Sequence, residues 1–269
     1  MFPVAARTLF DVVSRMNSIS LEAVLARADL QTRVDRKYLL PLQVCLRVLE
    51  EVGADLSVLE VGHRRVFRYE SVYFDTPDLA AYHQHAHGRR RRVKVRTRTY
   101  LDSGECMLEF KTVGGRGATV KERHPYPVSA RHTLDDQARA LAHDRVGRTI
   151  RTSELTQVLT TTYQRATLVD LVRGNRVTCD VNLGFESSTG GHFGPLDGVV
   201  VLESKTAGAD SPVDRALRAI HSRPVSLSKY CAGMAVLDPQ LPANRWNREL
   251  RTHFGWAPSG VVPWGGVGT

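Results

Sequence analysis

The sequence predicts an α+β protein in which about eight antiparallel strands close into a barrel-shaped tunnel with helices packed outside. The first observation is the strict alternation over residues 92–100, which puts Lys94, Arg96 and Arg98 on one face of a strand and valine or threonine on the other. The second is that this pattern returns in several later segments. The third is a set of amphipathic helical segments whose apolar faces can cover the outside of the sheet.

Helices and strands alternate over the first third of the chain. Ser20, Pro41 and Thr76 predict where three helices begin, because serine and threonine cap helix N-termini and proline suits the first helical position. The apolar residues of the second helix share one face, which we expect to lie on the sheet. The predicted elements are helix 18–30, strand 33–40, helix 41–53, strand 64–74 and helix 76–88.

Charged strands fill the middle of the chain, and helices return near its end. Gly174 and Asn175 indicate a hairpin turn between two strands, and Ser211 suits a helix N-cap. Glycines at 114, 115 and 117 predict another hairpin turn, with a phosphate-binding loop as the alternative. The predicted elements are strands 90–100, 105–112 and 118–126, helix 133–148, strands 160–173, 176–186 and 196–206, and helices 211–220 and 228–237.

Neither a linker nor an internal repeat interrupts the series of charged strands, so a single domain over residues 1–238 is expected. Residues 239–269 are rich in glycine, proline and tryptophan and show no periodicity. We interpret them as a C-terminal tail that is ordered at most in part.

Composition restricts the partners and the compartment. The net charge of +9 indicates an acidic partner, which could be a nucleic acid, an anionic surface or a phosphorylated molecule. The four cysteines are far apart and form no metal or disulfide pattern, so a cytoplasmic location is expected. The sequence shows neither a signal peptide nor a transmembrane segment, although docking to a membrane protein partner stays open.

The charged strand faces carry mostly basic residues, and the few acids stand two residues from a lysine. A single such strand is typical of the solvated face of an ordinary antiparallel sheet, but the whole series favours a closed sheet with its charge inside. The pairs of acid and lysine are Asp35 and Lys37, Glu109 and Lys111, and Glu203 and Lys205.

Seven short motifs occur in an order that resembles the polyphosphate polymerase, or vacuolar transporter chaperone (VTC), domain family. This family is a branch of the triphosphate tunnel metalloenzyme (CYTH-like) superfamily. The resemblance covers residues 18–237 approximately. The motifs are Arg-Val-Asp-Arg-Lys-Tyr-Leu-Leu at 33–40, Tyr-Phe-Asp-Thr-Pro-Asp-Leu at 73–79, Lys-Val-Arg-Thr-Arg-Thr-Tyr at 94–100, Leu-Glu-Phe-Lys at 108–111, Lys-Glu-Arg at 121–123, Leu-Glu-Ser-Lys at 202–205 and Ser-Lys-Tyr at 228–230.

The resemblance implies a tunnel that binds ATP, with inorganic phosphate or polyphosphate as the second substrate. It implies that Arg96, Arg98, Lys111 and Lys229 act on the reacting phosphoryl group. Glu203 would hold Mn²⁺ or Mg²⁺, with Asp180 or Glu109 as further candidates. The remaining phosphate-binding positions are Lys37, Lys121 and Arg165, with Lys94, Arg123 and Lys205 as additions on the same strand faces.

The first strand departs from the Glu-x-Glu-x-Lys pattern of the hydrolytic branch, because Arg33, Asp35 and Lys37 stand at those positions. One carboxylate fewer favours polymerase over hydrolase. Hydrolysis of tripolyphosphate or a nucleoside triphosphate is one alternative, and non-catalytic polyphosphate binding is another. Nucleic-acid binding by the arginines at 89–92 is not favoured, since no aromatic residues interleave with them for base stacking.

Overall fold

One large sheet organises the computed structural model, which describes residues 4–27, 34–113 and 119–258. Its strands pair antiparallel except for the parallel pair β1 and β3. The strands are β1 (Asn17–Ile19), β2 (Val34–Pro41), β3 (Ser57–Leu59), β4 (Val66–Asp75), β5 (Arg92–Tyr100), β6 (Glu105–Val113), β7 (Thr119–Pro125), β8 (Thr156–Val169), β9 (Arg176–Ser187), β10 (His192–Leu196) and β11 (Val199–Thr206).

Helices cover both faces of this sheet at different places. Each packs an apolar face against the strands, as the sequence patterns of α3 and α6 predict. The helices are α1 (Val4–Val13), α2 (Leu21–Arg27), α3 (Leu42–Val52), α4 (Ala80–Ala86), α5 (Asp136–Val146), α6 (Pro212–Ala219), α7 (Lys229–Leu237) and α8 (Asn247–Phe254).

The main strand order is β2-β11-β9-β8-β4-β5-β6-β7. Over the described ranges no backbone hydrogen bonds pair β7 with β2, so the closed barrel expected from the sequence is not confirmed. The carbonyl of Lys37 in β2 instead accepts the amide of Val225 at 2.7 Å, from the segment between α6 and α7. The fold is therefore α+β with a large antiparallel sheet that is open along its hydrogen-bond path.

Two apolar clusters cover the outer face of the sheet. In the larger one, Leu40, Cys179 and Leu202 on the strands meet Leu49 of α3 and Leu217 of α6. The second packs β4, β5 and β6 against α5 and part of α4. Alternation sends every second residue of these strands outward. The residues between them, which carry the charges, consequently lie on the inner face.

A third apolar cluster lies on the inner face, beneath α7 and α8. We call seven of its aromatic members the aromatic cluster. The sequence analysis expected little order after residue 238, yet Trp256 Nε1 donates to the carbonyl of Ala235 at 2.8 Å. Residues 259–269 lie outside the described part of the chain. The aromatic cluster consists of Tyr73, Tyr82, Phe185, Tyr230, Trp246, Phe254 and Trp256.

Several element boundaries differ from the sequence predictions. The predicted helix 18–30 is divided into β1 and α2, although Ser20 Oγ accepts the amide of Ala23 at 3.2 Å as a cap would. The helix predicted from Thr76 begins at Ala80, because Leu79 adopts a left-handed conformation. The sequence analysis missed α1, β1, β3, β10 and α8. The glycine turn at 114–117 falls outside the described residues.

Within the described ranges, every helix is too short or too polar to cross a membrane.

Candidate functional site

The pairing registers bring nearly all the predicted basic residues onto the inner face. Arg96 lies between Tyr73 of β4 and Glu109 of β6, and Lys94 lies opposite Lys111. In the other half of the strand order, Arg165 lies opposite Asp180, and Glu203 lies opposite Lys37. Three inner carboxylates each collect their own group of cations. We call these three groups together the ionic belt.

Glu109 is the centre of the first group. Its side chain is 2% exposed, and Oε2 accepts Nε of Arg96 at 2.7 Å and Nη2 at 2.6 Å. Oε1 accepts Lys121 Nζ at 2.5 Å, and Arg98 Nε stands 3.9 Å from Oε2. Burial alone would raise the pKa of Glu109, but Arg96, Arg98 and Lys121 hold it well below its usual value. The carboxylate is therefore ionised and fixes the three cations.

Asp180 is the centre of the second group. Arg165 donates to it through both Nε and Nη2, at 2.6 and 2.8 Å, and Lys229 Nζ donates to Oδ2. Burial opposes ionisation of this carboxyl group, but the two cations outweigh it and lower the pKa of Asp180 to about 2. The bidentate geometry fixes the plane of the Arg165 guanidinium. Lys229 comes from α7, so this group ties that helix to the sheet.

Glu203 is the centre of the third group, which is looser. Its two oxygens lie 3.6 Å from Lys37 Nζ and 3.1 Å from Lys205 Nζ. Burial would raise the pKa of Glu203, but Lys205 and Lys37 keep it well below its usual value. Apart from the 3.9 Å between Arg98 and Glu109, these distances are longer than those around Glu109 and Asp180. Of the three central carboxylates, Glu203 is consequently the one most loosely bound by its cations.

Lys94 and Lys111 place further positive charge on the inner face. Burial, together with the neighbouring charges of Lys111, Lys37 and Arg96, lowers the pKa of Lys94 to about 8. Burial and then Lys37 likewise lower the pKa of Lys111. Lys37 is on β2 and Lys111 on β6, so the effect of Lys37 on the pKa of Lys111 indicates that the sheet curves and brings these distant strands near each other. An anion in this space would relieve the repulsion between the two lysines.

Arg123 is the predicted phosphate contact that the structure does not bury. It lies on the same face of β7 as Lys121 and opposite Glu109 in the register, but its side chain is exposed. It stands near the edge of the sheet, because β7 is the last strand of the main path. The other predicted basic residues lie inside the curved sheet.

Uncharged residues that the sequence analysis did not assign to the site also face the ionic belt. Among the described residues, Tyr163 Oη, Thr161 Oγ1 and Thr178 Oγ1 are buried without a hydrogen-bond partner. The Tyr163 ring has Lys229 Nζ 4.6 Å and Arg165 Cζ 5.2 Å from its centroid. Burial opposes ionisation of the phenol, but these cations and Arg98 outweigh it and lower the pKa of Tyr163. Buried hydroxyl groups without partners beside cations suit a ligand with several oxygen atoms.

The sequence did contain one signal for these residues, which is their position along a strand. Tyr163 stands two residues before Arg165 on one strand, so alternation alone assigns it to the inner face. Thr178 lies opposite Glu203 in the strand register. A local sequence pattern does not reveal which residues lie opposite each other on neighbouring strands.

The donor set limits how a divalent ion could bind. In the part of the chain that the structure describes, no three or more His, Cys, Asp or Glu side chains are grouped so that they could hold a metal ion. Of the three carboxylates predicted as metal ligands, Glu109 and Asp180 are fully engaged by cations, which leaves Glu203. Mg²⁺ in nucleotide sites is commonly held by one or two carboxylates together with phosphate oxygens. The residues therefore fit an ion that is held jointly by Glu203 and a phosphorylated ligand.

The fold and the site define an α+β protein whose curved antiparallel sheet has a cation-rich inner face. A family model described as the VTC domain matches residues 32–238, which is most of the chain. The chain therefore belongs to the VTC domain family, as the sequence motifs indicated. No curated protein matches it.

Solved structures with similar coordinates share little sequence with the chain. A candidate adenylyl cyclase from Hippeastrum with a dominant triphosphatase activity is 13% identical with a TM-score of 0.48, over 76% of this chain and 96% of that one. A candidate adenylate cyclase from Bacillus halodurans is 14% identical with a TM-score of 0.47, over 73% and 94%. Another from Vibrio parahaemolyticus is 14% identical with a TM-score of 0.42, over 74% and 95%.

Proposed function

We propose that the chain is a metal-dependent, ATP-dependent polyphosphate polymerase that works in the cytoplasm. It transfers the γ-phosphoryl group of ATP to inorganic phosphate or to the end of a polyphosphate chain. The curved sheet acts as the wall of a tunnel that holds the phosphates. The observation that carries the proposal is the ionic belt, in which fixed cations from strands across the sheet and from α7 point into one space.

The charge of this space suits a chain of phosphates. The inner carboxylates already have cation partners, while burial and neighbouring basic residues lower the pKa of both Lys94 and Lys111. An anion with several charges, distributed along its length, is the ligand that neutralises such an arrangement best. Arginine supplies bidentate contacts to phosphate and lysine supplies compact charge, and both types occur along the belt.

The reaction needs alignment and charge more than it needs a protein nucleophile. An acceptor phosphate oxygen forms a bond to the γ-phosphorus, while the bond from that phosphorus to the bridging oxygen of ADP breaks. Arg96 and Arg98 project from the same face of β5, about 7 Å apart by the strand rise, and can hold neighbouring phosphoryl groups. Arg165 lies near them, since Arg98 and Arg165 both contact the Tyr69 ring. Arg165 and Lys229 stabilise the charge on the transferring group.

Glu203 together with phosphate oxygens would hold Mn²⁺ or Mg²⁺. The ion would supply positive charge to the β- and γ-phosphates. Ionised Glu203 is suited to this role, because its pKa is held well below its usual value. Its lysine partners, Lys37 and Lys205, stay close enough to contact the same phosphates.

The direct test is to incubate the protein with ATP and Mn²⁺ and to separate the products on a polyacrylamide gel stained for polyphosphate. The wild-type protein should make polymer and ADP, and Arg98→Ala should make at least tenfold less. Arg90→Ala is the matched control, because this arginine is exposed in the segment before β5. ADP and free phosphate without polymer would contradict the polymerase assignment and favour hydrolysis. Binding without turnover would favour a receptor.

A further inference from the structure

Asp75 is a buried carboxylate that belongs neither to the ionic belt nor to the predicted site. Its side chain is fully buried at the end of β4. Oδ1 accepts the amides of Thr76 and Ala81 at 2.8 and 2.9 Å. Oδ2 accepts the amide of Tyr82 at 2.9 Å and the hydroxyl of Tyr230. The three amides fix this carboxylate at the start of α4, so the Tyr230 bond has a rigid acceptor.

Tyr230 directly follows Lys229 in the first turn of α7. Its ring stacks on Tyr73, with centroids 5.1 Å apart and planes 25° apart. The Tyr73 hydroxyl in turn accepts Arg96 Nη1 at 2.9 Å. Tyr230 therefore connects the helix that carries Lys229 to the strand that faces Arg96, and it does so entirely within the protein interior.

The other contacts of α7 with the sheet are mostly apolar. Gly233 lies so close to Phe185 and Leu159 that a Cβ atom there would be 2.6 Å from the Phe185 ring. Such contacts hold the helix against the sheet, but they are not directional. A hydrogen bond to a fixed carboxylate has a preferred length and angle. Together with the Lys229–Asp180 bond, the Asp75–Tyr230 bond therefore determines how α7 is placed along and around its axis, and with it where the Lys229 ammonium stands.

We propose that Asp75 and Tyr230 are positioning residues that hold Lys229 in the ionic belt for contact with a phosphate chain. The Tyr230 hydroxyl is occupied by Asp75, so it acts through Lys229 and does not contact the ligand. This role rests on the proposed function, since it assumes that Lys229 binds phosphate. It extends the site to two residues, Asp75 and Tyr230, that do not belong to the ionic belt.

The test is a double-mutant cycle that measures tripolyphosphate affinity by calorimetry in the absence of metal and ATP. Tyr230→Phe removes one oxygen atom and keeps the buried ring. It should weaken binding about fivefold in the wild-type background. In the Lys229→Ala background, the same substitution should change affinity less than twofold, because the residue through which it acts has been removed.

Tyr82→Phe is the matched control. Tyr82 is another buried phenol of the aromatic cluster, and its hydroxyl donates to the carbonyl of Pro242 at 3.2 Å. It should lower Tm to a similar extent as Tyr230→Phe while leaving the tripolyphosphate affinity within twofold. Asp75→Asn probes the same bond from the carboxylate side and should show the same dependence on Lys229.

The possible results separate the two proposals. A fivefold loss that persists in the Lys229→Ala background, or a loss matched by Tyr82→Phe, would show a structural role and overturn the positioning role. No loss for Tyr230→Phe, in a protein that binds tripolyphosphate, would overturn it as well and leave the proposed function standing. A wild-type protein that does not bind tripolyphosphate would overturn both.

Discussion

The inner face of the sheet carries two regions of opposite character, the ionic belt and the aromatic cluster. In the belt, charged side chains from β5, β6, β8 and β11 point into shared space and leave buried hydroxyl groups without partners. In the aromatic cluster, α7 and α8 lie on the same face, and rings such as Phe185 and Phe254 stack at 6.2 Å. The inner face of the sheet thus has two roles, which differ according to what covers it.

The chemistry of a strand face is therefore determined more by what covers it than by where the strand lies in the sheet. Where a helix covers the face, apolar burial stabilises the fold, at about 25 cal/mol per Å² of apolar area. Where no helix covers it, the cations remain paired with carboxylates and available to an anion. Apart from Tyr230, which we propose positions Lys229, we therefore expect substitutions in the aromatic cluster to affect stability and those in the belt to affect activity.

The largest expected effect is on stability. Phe254→Ala should lower the free energy of unfolding by about 3–5 kcal/mol, because it leaves a cavity against Phe185 and Phe193. Chemical denaturation followed by circular dichroism measures this loss. The affinity of the folded protein for tripolyphosphate should stay within twofold of wild type. A stable variant with weakened binding would contradict the division between the two regions.

Next comes Glu203→Gln, which should reduce Mn²⁺-dependent turnover of ATP at least a hundredfold, or about 2.7 kcal/mol. The neutral amide keeps the shape of the side chain but loses most of its attraction for a divalent cation. Initial rates over a Mn²⁺ titration measure this effect, and circular dichroism checks that the fold is kept. Unchanged turnover at saturating Mn²⁺ would remove Glu203 from the metal site.

Arg96→Ala and Arg98→Ala should each lower kcat/KM for ATP at least tenfold, or about 1.4 kcal/mol. The two should differ in stability, which sharpens the comparison. Arg96 makes close bonds to buried Glu109, whereas Arg98 stands 3.9 Å from it, so Arg96→Ala should lower Tm more. Full activity in both variants, together with a loss of nucleic-acid binding, would make β5 an external basic patch.

The smallest effect is expected on the outer face of the same strand. Thr97 is fully buried there, and its hydroxyl donates to the carbonyl of Arg131 at 2.6 Å. Thr97→Val should cost about 1 kcal/mol of stability for this lost bond and leave kcat/KM unchanged. Steady-state kinetics beside thermal unfolding tests both halves. A tenfold loss of kcat/KM would show that the two faces of β5 are not independent.

Local patterns predicted the ionic belt well. Strict alternation assigned Lys94, Arg96 and Arg98 to one face, and the structure confirms that they lie together inside the curved sheet. The N-cap motif at Ser211 was also visible, and it forms a capping box with Asp214. These signals are local, since a strand or a helix end is specified by residues within a few positions of one another.

The parts that sequence reasoning missed depend on distant contacts. The bond between Asp75 and Tyr230 joins residues 155 positions apart, and nothing in either segment alone indicates it. Residues 247–254 have few apolar side chains, yet Leu250 and Phe254 are buried because the inner face offers an apolar surface. Closure of the sheet is not confirmed, and the sequence could not decide it for a similar reason. The alternation of β2 and β7 specifies their faces but not whether their edges pair.

The most direct test of the account is a crystal structure with a nonhydrolysable ATP analogue and Mn²⁺. The account predicts that the phosphates lie within hydrogen-bonding distance of Arg96, Arg165 and Lys229, inside the curved sheet. The ion should contact Glu203 together with phosphate oxygens. Phosphates bound instead to the exposed arginines at 89–91, with the inner face free of them, would contradict the central claim that the ionic belt is the substrate site.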